Sequence, residues 1–316
     1  MNSCSSLDWD GMENSPEEQI VLMANSPSWP SLNREKLADV LFESFRVPAL
    51  HMANTGLLSL CAYGRVTGMA VELGAEVFHV TSVRLAQTWR KAIYCLRVAG
   101  GFLSSYLHSL LMDCPNNPSV LKTVKKMTAI HLKNQCYYVF VDYEGHLHDQ
   151  GYHHPARFQN PDGHWITLDK EQFYGPEMLF QPKLLHQSSP GPHHLALQSL
   201  QVVPDHARRD TVGNNVLSGG SSVFPDFPKR MCLELSTLFH GTGCQIQVLV
   251  SLGGGLNGSV VTSFQHAWMA KGEYQEHGAE YGHQIFQQAD DNHAYKPSHW
   301  RGTAPAALFQ VELQWW

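Results

Sequence analysis

Asn214-Asn-Val-Leu-Ser-Gly-Gly-Ser-Ser-Val-Phe-Pro225 carries the sharpest local signal in the chain. Asn214 to Leu217 reads as a strand, and it runs straight into Ser218-Gly219-Gly220-Ser221-Ser222. Pro225 and Pro228 then lead into a helix that extends through Leu235. Paired glycines let the backbone turn sharply and let a ligand approach it closely. A helix N-terminus offers unpaired N–H groups and the positive end of a dipole, so a nucleotide or its phosphates suits such a turn. Turns of this composition also occur with no ligand, and the residues alone leave both readings open.

Working outward, strands and helices alternate. Residues 15–34, rich in Pro, Ser and Asn around Trp29-Pro30, read as irregular connection. Residues 33–64 read as two helical pieces broken at Pro48, with Leu37, Val40, Leu41 and Phe45, then Leu57, Leu58, Leu60 and Cys61, at helical spacing. The period then changes: residues 68–74 and 76–83 are β-type runs about a Gly turn, which predicts a hairpin. Further strands are predicted at 94–98, 137–141, 165–168 and 245–250, and helices at 102–112, about 118–136, 195–203 and 259–269. Residues 145–163, rich in His, Gly and Pro, read as a surface excursion, and 287–316, without a period, as an irregular tail. The alternation argues for an α/β architecture.

Composition narrows the function. The 316 residues suit two domains, and 43% hydrophobic content excludes wholesale disorder. Only 16% are charged, the net charge is −6, and no basic patch is present, so nucleic acid is not an expected partner. Seven cysteines (4, 61, 95, 114, 136, 232 and 244) are scattered and never spaced CxxC, as in reduced thiols of a cytosolic or nuclear protein. The polar, acidic residues 1–14 do not read as a signal peptide, and no apolar run reaches the ~20 residues of a membrane span. His146, His148, His153 and His154, and His193 with His194, cluster in sequence without a Cys or carboxylate at ligand spacing, so no metal site is expected. Ser218 lacks a G-x-S-x-G elbow, which sets aside a serine hydrolase. Tyr137, Tyr138 and Phe140 read as core, and Cys61 and Cys232 as buried, inert thiols.

Motif order points further. Phe42-Glu-Ser-Phe-Arg-Val-Pro-Ala49 precedes Leu58-Ser-Leu-Cys-Ala-Tyr-Gly-Arg-Val-Thr-Gly68, Leu132-Lys-Asn-Gln-Cys-Tyr-Tyr-Val139 and Asp162-Gly-His-Trp-Ile-Thr-Leu168. Then come Pro176-Glu-Met-Leu-Phe-Gln-Pro182, Val216-Leu-Ser-Gly-Gly-Ser-Ser-Val-Phe-Pro225, and Ser263-Phe-Gln-His-Ala-Trp268 with Glu273-Tyr274. This series resembles the actin family from about Asp8 to about Phe286, in the divergent manner of germ-cell actin-like proteins. The resemblance implies a two-lobed α/β actin-like fold, shared with sugar kinases and heat-shock ATPases, with a nucleotide cleft. It also implies that residues 1–286 form an incomplete domain. The N-terminal part, with the first phosphate loop, and the small outer subdomain have no counterpart in the chain.

Carried over by position, the resemblance makes Glu72, Gly74, Lys133, Gly219, Gly220 and Ser221 the cofactor-binding residues. Glu72 stands for a metal-associated Asp; Gly219, Gly220 and Ser221 keep the adenosine-side loop. Other positions depart. Ala75 replaces a second Asp, Glu76 replaces a Gly, Thr55 replaces the Gln that orients the attacking water, and Asn134 replaces the Glu that grips the ribose. Residues 253–258 lack the lysine of the base-clamping stretch. An extra carboxylate beside phosphates repels them, and phosphoryl transfer depends on positioned charge and metal. The expectation is therefore no enzyme, no catalytic residues, and ATP bound weakly or not at all. The implied role is a non-catalytic cytoskeletal or scaffolding protein of male germ cells, in the cytoplasm and cytoskeleton. Its expected partners are actin or actin-binding proteins, at a groove near Gly64, Arg65 and Tyr274, and it is not expected to form filaments alone. The intact turn keeps the alternative, a nucleotide-binding ATPase switch.

Overall fold

A computed structural model describes residues 15–113, 126–148, 155–159, 163, 165–185, 189–240, 246–251 and 268–286. In chain order the strands are β1 (Val21–Asn25), β2 (Ala49–Asn54), β3 (Gly68–Leu73), β4 (Phe78–Arg84), β5 (Gln87–Thr88), β6 (Tyr94–Leu96), β7 (Ala156–Gln159), β8 (Trp165–Leu168), β9 (Asn215–Ser218), β10 (Val248–Ser251) and β11 (Met269–Ala270). They and the intervening helices form two units. Of the described residues, one comprises those within 15–66, 83–90 and 268–286, and the other those within 67–82 and 91–251.

In the first unit β2 lies between β1, parallel, and β11, antiparallel. This corrects two expectations: residues 21–25 are a strand rather than irregular connection, and residues 49–54 are a strand rather than helix. Both runs are buried almost throughout, and a strand buried on both faces has no alternation to betray it. Helix Ser31–Asp39 continues into a π-helical turn, Val40–Ser44, that buries Leu41 and Phe42 against Val21, Met23, Leu50 and Met52. Helix Thr55–Cys61 starts at Asn54, whose Oδ1 accepts from the Gly56 N–H at 2.8 Å.

In the second unit the sheet order is β10-β9-β3-β4, with β6 also on β4. Strands β10, β9 and β3 are parallel, and their register sets Ser251, Ser218 and Glu72 side by side at the carboxyl ends. Leu103, Leu107 and Leu111 of helix Gly100–Asp113 enter the core with Leu217, Phe227, Met231 and Leu235. Helix Lys126–Cys136 follows; the earlier part of that expected helix lies outside the described residues.

Residues 137–141 are not a strand. Burial alternates there, but no strand pairs with them among the described residues: Tyr138 N–H donates to the Gln172 carbonyl (3.2 Å), Val139 N–H to the Pro225 carbonyl (2.9 Å) and Tyr137 N–H to the Lys133 carbonyl (3.1 Å). Helix Glu171–Phe180 explains the first tie. Pro176 has no N–H to offer Gln172 four residues back, and Tyr138 supplies the missing donor. Gly175, in the same turn, leaves room for the Tyr137 ring, since a Cβ there would lie 2.4 Å from the Tyr137 hydroxyl. Described residues of the 145–163 excursion carry regular structure: helix Tyr143–His148 takes its first turn from Asp142, and β7 pairs antiparallel with β8. Helices Pro192–Val202, Asp205–Val212 and Phe227–Leu238 complete the unit. The expected helix at 259–269 lies outside the described residues up to 267, and Met269 belongs to β11. The 287–316 segment is likewise outside them. Among the described residues no helix is long and apolar enough to cross a membrane.

Candidate functional site

The carboxyl ends of parallel strands are where α/β sheets place ligands, and all six residues singled out from the sequence lie there, in the second unit. Glu72 and Ser218 are register partners at the ends of β3 and β9. The chain then turns at Gly219, with φ +88, into the short 3-10 helix Gly220–Val223. A Cβ on Gly219 would sit 2.4 Å from the Leu73 carbonyl oxygen, so glycine is required by conformation and by contact. Around Gly220 an added Cβ would meet nothing within 4 Å, which leaves that stretch of backbone open. Ser222 closes the turn, its N–H and its hydroxyl both donating to the Gly219 carbonyl, at 3.1 and 2.7 Å.

Gly100 is the hub that the residue pattern did not single out. A point one Cβ length from its Cα lies 3.0 Å from Ser221 Oγ, 3.2 Å from the Gly74 carbonyl and 3.4 Å from Lys133 Nζ. Gly74, Lys133 and Ser221 therefore converge on one spot beside the start of helix Gly100–Asp113. The pair Gly100-Gly101 heading an amphipathic run was the available signal. Lys133 is buried at 8% exposure, and its amine donates to the Gly100 carbonyl at 3.2 Å. No carboxylate pairs with it among the described residues, and burial lowers its pKa from the ordinary lysine value. The turn after β3 is tied to the helix start: the Gly100 N–H donates to the Gly74 carbonyl at 3.0 Å and the Gly101 N–H to the Ala75 carbonyl at 2.6 Å.

These contacts decide what the site can hold. The first two donors of the helix are spent on the hairpin, and that hairpin presents the Ala75 methyl and the exposed Glu76 carboxylate. Such a surface does not fit a phosphate chain. The open Gly220 backbone, the Ser221 hydroxyl and the Lys133 amine fit the nucleoside end of an adenosine nucleotide. Asn134 is exposed on the helix beside Lys133. Thr55 begins a helix of the first unit, and residues 253–258 lie outside the described residues.

The histidines do not assemble a metal centre among the described residues. His146 stacks on Phe140 at 4.3 Å, and His193 packs beside His194 at 4.2 Å; His153 and His154 lie outside the described residues. Cys61 and Cys136 are buried free thiols, pushed up by burial to about 11 and about 12. The groove expected near Gly64, Arg65 and Tyr274 is differently built. Tyr274 stacks on Phe42 at 4.6 Å and borders a cavity of about 490 Å³ with Glu43, Arg46 and Lys271. Neither Gly64 nor Arg65 lines it.

The family model described as Actin matches residues 7–287. Actin-like protein 7A of Homo sapiens is 32% identical over 290 residues, covering 86% of this chain and 66% of that protein. Actin-like protein 7A of Mus musculus is 32% identical over 291 residues, covering 86% and 65%. The chain thus spans just under two thirds of the length of these relatives.

Proposed function

From the premise that the chain belongs to the actin family, we propose that it is a non-catalytic, actin-like scaffolding protein of the cytoskeleton. Within the family we place it among the male germ-cell forms, nearest actin-like protein 10, with actin or actin-binding proteins as its partners. The reading rests on one observation: the backbone at Gly220 is open beside Ser221, while the first two N–H donors of helix Gly100–Asp113 are taken by the Gly74 and Ala75 carbonyls. Positioned charge is nearly all a protein contributes to phosphoryl transfer. Among the described residues, the groups that the resemblance offers for that role are the Glu72 carboxylate and one desolvated amine, Lys133.

The 32% identity to Actin-like protein 7A supports an actin-related role. Phosphate release from ATP with magnesium tests the absence of catalysis. A rate equal to that of heat-killed protein is expected; a higher rate, abolished by Glu72→Gln, would overturn the proposal. A second reading, an ATP-binding switch, is favoured by the convergence of Lys133, Ser221 and Gly74 on Gly100, and it predicts tight nucleotide binding without turnover.

A further inference from the structure

The second unit contains a cavity of about 550 Å³ built from other segments than the glycine turn. Asp142 and Glu144 reach it from the start of helix Tyr143–His148, Lys183 from beyond Phe180, His193 from the first turn of helix Pro192–Val202, and Arg230 with Glu234 from helix Phe227–Leu238. The cations do not balance the carboxylates. Arg230 is committed already, to Glu177 at 3.1 Å, to Glu234 at 2.7 Å and to the Phe140 carbonyl at 2.8 Å. Among the described residues that line the cavity, exposed Lys183 alone is left to face Asp142 and Glu144.

His193 adds an independent observation. It is 5% exposed, it lines the cavity, and among the described residues its Nδ1 has no hydrogen-bond partner. Burial, with His194 and Arg230 nearby, lowers its pKa to about 4 and keeps the ring neutral near pH 7. With the ring proton on Nε2, Nδ1 is an acceptor. The polar set is therefore rich in acceptors, and Val141, Phe180 and Pro182 supply an apolar wall. A cationic donor on a long apolar stem matches both features.

We propose that this cavity seats a lysine or arginine side chain from a basic segment of a partner protein, with Asp142, Glu144 and His193 as its acceptors. The probe is a fluorescein-labelled nine-residue peptide of alternating Gly and Lys, titrated into the full chain by anisotropy, with a Gly/Glu peptide as control. The Lys peptide binds and the Glu peptide does not. Glu144→Gln weakens binding about threefold, as for a solvent-facing ion pair, and Lys183→Ala tightens it. Asp210→Asn, an equal charge change on an exposed residue away from the cavity, has no effect. Long-range ¹H–¹⁵N spectra show the His193 Nδ1 resonance moving with added Lys peptide. Equal binding of the two peptides, equal weakening by Asp210→Asn and Glu144→Gln, or an unmoved His193 resonance would each overturn the proposal.

Discussion

Replacing Arg230 with Met is the most informative stability test in the second unit. The Arg230 guanidinium is 6% exposed and grips Glu177, 1% exposed, through two contacts of 3.1 and 3.3 Å, while also holding Glu234 and the Phe140 carbonyl. Met fills much of the same volume but leaves a buried carboxylate whose remaining described partner is the Gln181 amide, at 3.0 Å. Breaking a buried pair from one side costs about 3–5 kcal/mol, and the orphaned Phe140 carbonyl adds ~1 kcal/mol. At roughly 2–4 °C per kcal/mol for a unit of this size, the melting transition falls by about 10 °C or more. Burial already pushes the Glu177 carboxyl up to about 7, against the opposing pull of Arg230. Because that folded-state pKa is raised, Glu177 favours the fold at low pH, and its contribution is lost as pH rises toward 7. The Arg230→Met penalty is therefore larger at pH 8 than at pH 5.5, and Glu177→Gln placed on top of it restores at least half the loss. Urea unfolding followed by circular dichroism reads all of this. A single-variant cost below ~1 kcal/mol, or no recovery in the double variant, would refute the reasoning.

His79 and His193 are buried with pKa values lowered by burial to about 4, so the unfolded chain takes up protons that the folded chain refuses. Stability from these two groups falls as pH drops from ~6.5 to ~4, by about 3 kcal/mol each at the limit. Glu177 works in the opposite direction over part of that range, so the clean readout is His79→Gln, which flattens the acid slope of urea stability; an unchanged slope would contradict it. Gly219→Ala sets a Cβ against the Leu73 backbone at φ +88 and costs about 2 kcal/mol or more, whereas Gly220→Ala, with open space around it, costs under ~1 kcal/mol; equal melting shifts would argue against the turn geometry. Tyr274→Phe removes a hydroxyl lying 2.8 Å from both Asp39 and Glu43. It lowers first-unit stability by about 1 kcal/mol and abolishes an alkaline phenol titration, which desolvation, then those carboxylates, hold above the ordinary tyrosine range.

What could be read from residues was whatever is local. The strand–glycine turn–helix at 215–238 was legible because a left-handed turn before a helix needs Gly219, and helix Gly100–Asp113 because Leu103, Leu107 and Leu111 repeat at its period. Strands β1 and β2 escaped because apolar runs buried on both faces carry no period. Helix Glu171–Phe180 escaped because Gly175-Pro176 reads as a breaker, and only Tyr138, distant in sequence, repairs the lost hydrogen bond. The reverse error befell residues 137–141, whose alternation marks extended backbone but cannot supply a neighbouring strand. The six candidate site residues were singled out by resemblance. Gly100, on which three of them converge, is visible only once the β3–β4 turn and helix Lys126–Cys136 are brought to it.

The central claim is that this actin-family site keeps its nucleoside shelf but has lost magnesium-assisted phosphate binding. Titration with a fluorescent ATP analogue, once in excess magnesium and once in EDTA, tests it most directly. The two dissociation constants are expected to agree within about twofold, because a shelf that grips only the nucleoside end gains little from a phosphate-bound metal. Tightening by tenfold or more with magnesium, lost in Glu72→Gln, would contradict the claim.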